Sequence, residues 1–217
     1  MLVHRDDRAA ATPPEKVLAP AEWLRYQGFV SDGRRAAFVL GRIAAKLALG
    51  VAPAGWPSVA IESGNGQPPR VAIPDIQVSI SHAGEWALAG AGPAQPRFGV
   101  DVHVPHARHR AALESCLHPD EVAALEPWGE AERLARLHVL WSAKEAVLKA
   151  LGVGLGRDPA TVALADAQPG QFVTDGGRAW YRTGAGWVAT VAVLGAVPGE
   201  VENRLRAWAG GTGRVAP

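Results

Sequence analysis

Leu-Trp-Ser-Ala-Lys-Glu-Ala-Val-Leu-Lys-Ala-Leu-Gly, residues 140–152, reads as the last turns of a helix that starts near Glu130 and stops at a glycine. At roughly 100° per residue, Leu134, Leu137, Leu140, Trp141, Val147, Leu148 and Leu151 share one apolar face. Lys144 falls in the middle of that face, where a charge is costly unless paired. Glu145 and Lys149 stand at its edge, four residues apart, so their side chains converge. The chain has four lysines against eighteen arginines. Two lysines in one apolar helix therefore mark positions that need a compact ammonium.

Outward from this helix the pattern is α+β. Beyond Gly152, strands are expected at Val162–Ala165, Gln171–Thr174, Arg178–Arg182 and Trp187–Leu194, with Asp175-Gly176-Gly177 as a hairpin turn. Upstream, Phe98–Val104 alternates: Phe98, Val100, Val102 and Val104 point one way, Asp101 and His103 the other. Helical pieces are expected at Ala107–Leu117 and Pro119–Leu125. The first half runs in a similar order. A short helix over Glu22–Phe29 precedes a longer one over Arg34–Leu49, introduced by Ser31-Asp32-Gly33 and closed by Gly50. Strands follow at Ser58–Glu62, Arg70–Ile73, Val78–His82 and Trp86–Ala91, the first pair joined at Gly64-Asn65-Gly66. Residues 1–20 read as loosely packed, and 92–96 as the linker.

Composition narrows the classes. With 217 residues and 48% hydrophobic content the chain can bury a real core. A net charge of +1 gives no case for nucleic acid or a membrane surface. Cys116 is the only cysteine, which excludes an internal disulfide framework and a thiolate metal cluster. No signal-peptide region and no run of about 20 apolar residues is seen, so a soluble cytoplasmic protein is expected.

Four groupings bear on chemistry. Asp101 and Glu145, if strand and helix pack together, supply oxygens to a hard cation such as Mg²⁺. Arg35, Arg42 and Lys46 line up on the first long helix as an unopposed basic stripe suited to phosphates. Ser81 and His82 are adjacent on a strand and point to opposite faces, which argues against a serine nucleophile with its base. Ligand-holding hydroxyls and an imidazole fit better. His103, His106 and His109 have H-x-x-H-x-x-H spacing, but Pro105 interrupts any helix through them, so no dedicated tri-histidine metal site is expected.

Phe-Gly-Val-Asp-Val (98–102) and, some forty residues on, Trp-Ser-Ala-Lys-Glu-Ala-Val-Leu-Lys (141–149) together resemble the paired signature of the 4′-phosphopantetheinyl transferases. Ser-Ile-Ser-His (79–82), the helix carrying Arg34-Arg35, Gly41-Arg42 and Lys46, and Gly66-Gln67-Pro68 are similar to segments of the larger, surfactin-synthetase-activating class. The likeness runs from about residue 22 to 195. It implies transfer of phosphopantetheine from coenzyme A to a serine of an apo acyl or peptidyl carrier protein, releasing adenosine 3′,5′-bisphosphate. The implied fold is a pseudo-two-fold pair of similar halves, each a long helix packed on a small, mainly antiparallel sheet. Residues 1–96 would form the nucleotide side and 97–217 the metal and catalytic side, the chain acting as a monomer.

By position, the resemblance implies Asp101 and Glu145 as Mg²⁺ ligands. Lys144 and Lys149 match the family's motif lysines on the phosphate side of coenzyme A, and Lys149 would contact phosphate. Ser79, Ser81 and His82 would lie near the nucleotide phosphates, with Arg35, Arg42 and Lys46 at the 3′-phosphate. Glu145 is the candidate base. His103 stands where the class often has a third carboxylate, which implies a replacement water or a site that also tolerates Mn²⁺. Gln67 replaces a residue that is often basic. Two further readings compete: a non-catalytic coenzyme A or carrier-protein binding module, and a small metal-dependent hydrolase built on Asp101, His103 and Glu145.

Overall fold

The computed structural model describes residues 1–64 and 67–211, so Asn65 and Gly66, with the turn and Gly-x-Pro segment they were expected to form, lie outside the described residues. The chain divides after Gln95 into two compact units. The first contains β1 (Leu2–His4), α1 (Pro14–Val17), α2 (Pro20–Gln27), α3 (Asp32–Ala48), β2 (Ile61–Gly64), β3 (Gln67–Val71), β4 (Ile76–Ala83) and β5 (Trp86–Pro93). Ser31 starts α3 by accepting the Arg34 N–H on its hydroxyl at 3.3 Å. The helix then buries Phe38, Val39, Leu40, Ile43, Ala44 and Ala45 with Val3, Val78, Ala87, Ala89 and Trp56. The antiparallel sheet has the order β1-β5-β4, and the β2-β3 hairpin runs beside β4.

The expectation of a loose N-terminal segment is corrected here. Leu2 pairs with Leu88 and His4 with Trp86, while Val17 and Leu18 enter the core. A three-residue strand is too short to alternate visibly, and its partner is more than eighty residues away.

The second unit contains β6 (Arg97–His103), α4 (Arg110–Glu114), α5 (Pro119–Leu125), α6 (Glu130–Leu151), β7 (Ala165–Gln168), β8 (Gln171–Thr174), β9 (Gly177–Gly184), β10 (Trp187–Leu194) and α7 (Gly199–Gly210). Its five strands are antiparallel in the order β6-β10-β9-β8-β7. Helix α6 ends at Gly152, whose φ of 76° only glycine adopts cheaply. The strand expected at Val162–Ala165 instead begins at Ala165, after a 3-10 turn over Pro159–Thr161. Helix α7 was not legible: none of its residues is buried, so no apolar stripe marks it. No helix among the described residues is long and apolar enough to cross a membrane.

The two units repeat one polar device. In α2, Glu22 Oε2 accepts the Ala19 N–H at 2.8 Å and Oε1 the Ile61 N–H at 3.1 Å. In α5, Glu121 Oε2 accepts the His118 N–H at 2.8 Å and Oε1 the Leu164 N–H at 3.1 Å. Each glutamate also pairs with a fully buried lysine of the long helix, Lys46 at 2.6 Å and Lys144 at 2.9 Å. The remaining lysine donors go to carbonyls: Val17 O at 2.6 Å and Trp56 O at 2.9 Å for Lys46. For Lys144 they go to Pro159 O at 3.1 Å and Val162 O at 2.5 Å, which draws that segment out of strand geometry. Burial lowers the pKa of both lysines; the glutamates oppose it. Removing one partner of such a pair strands the other charge. Lys144→Met and Lys46→Met should each lower the unfolding free energy by about 3–5 kcal/mol in urea denaturation. A loss below about 1 kcal/mol would mean that the lysines do not hold the fold.

Candidate active site

The site of the second unit is built on a missing side chain. Gly99 lies on β6 two residues before Asp101, so both face the same way. A Cβ at Gly99 would stand 2.1 Å from Ala146 O and 2.5 Å from Ala150 N, so α6 rests directly on the β6 backbone. That contact brings Asp101 against the helix, where Lys149 Nζ donates to Asp101 Oδ1 at 2.6 Å. The same ammonium is 3.2 Å from Glu145 Oε2, one helical turn away. Beneath them Thr190, the cross-strand partner of Asp101, donates its buried hydroxyl to Ser142 Oγ at 3.0 Å, tying β10 to α6.

The electrostatics are those of two carboxylates held close by one cation. Burial raises the pKa of Glu145 and the Asp101 charge adds to the rise, while Lys149 opposes it. Burial alone would lower Lys149; Asp101 and Glu145 outweigh it and hold its pKa above the ordinary value. Two converging carboxylates are the donor set of a hard divalent cation, and burial that raises a carboxylate's pKa makes it a stronger proton acceptor than an ordinary one.

The other expected residues divide. Lys46 and Lys144, expected near phosphate, are instead internal: both are fully buried with their donors turned inward. Their rarity was a true signal of a required ammonium, but the partner is an internal glutamate. Arg42 is also buried, 2.9 Å from Glu22 Oε1, donating to Ser63 Oγ at 2.6 Å and stacked 4.3 Å from the Phe38 ring centre. Burial lowers its pKa to about 10, despite Glu22 and with Arg25 adding to the fall. Of the basic stripe only Arg35 faces open space. It donates to Asp32 Oδ1 at 3.2 Å and lines a cavity of about 400 Å³ with Arg5, Tyr26 and Glu85. Ser79 and Ser81 are buried on one face of β4, and His82 is exposed near its end.

His103 is not brought together with Asp101 and Glu145 as a third ligand. Its Nε2 lies 2.8 Å from His138 Nδ1 on α6, and among the described residues no three His, Cys, Asp or Glu groups stand ready to hold a metal. Burial, and then His103, His109 and His106 in turn, lower the pKa of His138 to about 4. Sequence reasoning missed the roles of Gly99, Glu22, Glu121 and His138. A glycine inside an alternating strand was the available signal for the first, and Glu at the third position of a Pro-initiated helix for the glutamates.

Residues 97–193, which carry this geometry, match the 4′-phosphopantetheinyl transferase superfamily. The chain is similar to "4′-phosphopantetheinyl transferase psf-1" of Bacillus pumilus, 30% identical over 92 residues, 42% of this chain and 39% of that protein. It is similar to a 4′-phosphopantetheinyl transferase of Bacillus subtilis, 31% identical over 117 residues, 54% of this chain and 50% of that protein. The matches thus span half or less of these relatives' own length. Among solved structures, the Thermotoga maritima holo-[acyl-carrier-protein] synthase aligns at 20% identity and a TM-score of 0.41, covering 47% of this chain and 64% of that one.

Gly99→Ala is the sharpest local probe of the second unit. With no room for a methyl group, α6 must lift from β6, at a cost of about 1–3 kcal/mol or more. Thermal denaturation should show that loss. An unchanged midpoint would mean that the helix does not rest on the strand as described.

Proposed function

We propose that the chain transfers the 4′-phosphopantetheine arm of coenzyme A to a serine of an apo acyl or peptidyl carrier protein. The observation that carries this reading is the convergence of the Asp101 and Glu145 carboxylates on Lys149, within the segment that matches the superfamily. The Asp101–Glu145 pair fits Mg²⁺, which favours few carboxylates together with phosphate oxygens and water. When bound there, the cation would neutralise charge on the pyrophosphate. His103 faces His138, 2.8 Å away, so Asp101 and Glu145 are the two protein ligands assigned in this reading.

The residues then act as follows. Glu145, raised in pKa, accepts the proton of the carrier serine as its oxygen attacks the phosphorus bearing the pantetheine arm. The bond from that phosphorus to the bridging oxygen breaks, and adenosine 3′,5′-bisphosphate leaves with the electron pair. Lys149 stabilises the charge that develops on the phosphoryl oxygens. Asp101 holds Lys149 in place. Arg35, His82 and the hydroxyls of Ser79 and Ser81 stay as candidates for the nucleotide phosphates, while Arg42, Lys46 and Lys144 are withdrawn.

The test is incubation with coenzyme A, Mg²⁺ and a panel of apo carriers, read by mass spectrometry. The expected result is a phosphopantetheine adduct on the carrier serine. Glu145→Gln should slow its formation by about 10²–10⁴-fold while the protein stays folded. Absence of adduct on every carrier, with coenzyme A still bound, would replace the reading with a non-catalytic binding module.

A further inference from the structure

Four of the chain's seven histidines gather in the second unit. His103 ends β6, His106 and His109 belong to the turn that follows, and His138 projects from α6. His109 is the hub: its ring centre lies 5.9 Å from that of His103, 5.6 Å from His106 and 6.4 Å from His138. The His103 and His138 rings are stacked 4.9 Å apart. His138 is buried, and its Nε2 has no hydrogen-bond partner. A buried imidazole left unsatisfied on one side and set nitrogen to nitrogen against a second imidazole is a poor packing solution. It is an economical way to store metal ligands.

We propose that this cluster binds a borderline transition-metal ion of the Zn²⁺, Co²⁺ or Ni²⁺ class, with His103 and His138 as a preplaced pair and His109 as third ligand. Imidazoles sharing a tetrahedral ion, with metal–nitrogen distances of about 2.0–2.1 Å, have ring centres about 5 Å apart. The His103–His138 pair is already at that spacing; His109 lies about an ångström beyond it. Since no three groups yet stand at coordinating geometry, His109 must swing inward. It sits half-buried on a short 3-10 turn, and the swing gives up a 3.3 Å contact from Arg108 Nε to its Nε2. His106 is exposed and accepts the Arg108 N–H on Nδ1 at 3.1 Å, which leaves its Nε2 as a fourth ligand. Imidazole suits this class of ion, whereas Mg²⁺ prefers oxygen, so the cluster and the Asp101–Glu145 pair select different metals. The inference does not rest on the transfer reading.

The test is titration of Co²⁺ into the metal-free full chain in excess Mg²⁺, without coenzyme A. The expected result is the visible absorption of tetrahedral, nitrogen-ligated Co²⁺, saturating at a single ion per chain and abolished by Zn²⁺. His109→Gln, at a half-buried position, should weaken binding by roughly 10–100-fold, with circular dichroism checking that the fold is kept. The combined His103→Gln and His109→Gln variant should abolish the band, and Asp101→Asn should leave it. The proposal is overturned by absence of the band, by unchanged affinity in His109→Gln, or by loss of the band in Asp101→Asn, which would move the ion to the carboxylates.

Discussion

An ammonium group inside apolar packing is tolerable only when every donor is used and its charge is opposed. Lys144 meets both conditions through Glu121, Pro159 O and Val162 O. Those partners come from α5 and from the turn before β7, so one side chain fixes α6 against two separate pieces of chain. The rest of the site follows from that fixation. Glu145, the next residue, is turned away from the internal pair toward β6, and Lys149 joins it one turn later. A helix held so firmly on one side can present charged groups on the other without rolling to bury them.

The same frame is laid down twice, but its chemistry is not. Both long helices carry the buried lysine, and both preceding short helices carry its glutamate. The residue after the lysine is Leu47 in the first unit and Glu145 in the second; five residues after it stand Val51 and Lys149. The first unit thus keeps the structural pin and lacks the carboxylate and the second ammonium. Its buried Arg42 adds to the charge neutralised by Glu22, a contact that Leu140, four residues before Lys144, does not reproduce.

Much of this was legible in the order of residues. Glu130–Leu151 announced itself through its apolar face and terminal glycine, β6 through alternation, and β8 and β10 as strand-forming runs between turns. Asp101 and Glu145 stood out because alternation and helical phase each fix the side of an element on which a residue lies. What remained hidden depends on distant partners. β1 is defined only by β5, and α7 by no buried face at all. Whether a rare lysine answers an internal carboxylate or an external phosphate depends on where Glu22 and Glu121 end up, which no local pattern states. The histidine spacing carried no geometry of its own: Pro105 rules out a helix, and it is a strand end and a turn that bring the rings near His138.

Gly99 leaves helix and strand in backbone-to-backbone contact, so the gap between Asp101 and Glu145 is set by main-chain dimensions. Substitutions in the surrounding core cannot widen or narrow it gradually. The reach between the two elements is therefore set by the length of the carboxylate side chains themselves. For the proposed cation site, exchanging aspartate for glutamate at either position would move a carboxylate by one methylene group without moving the backbone.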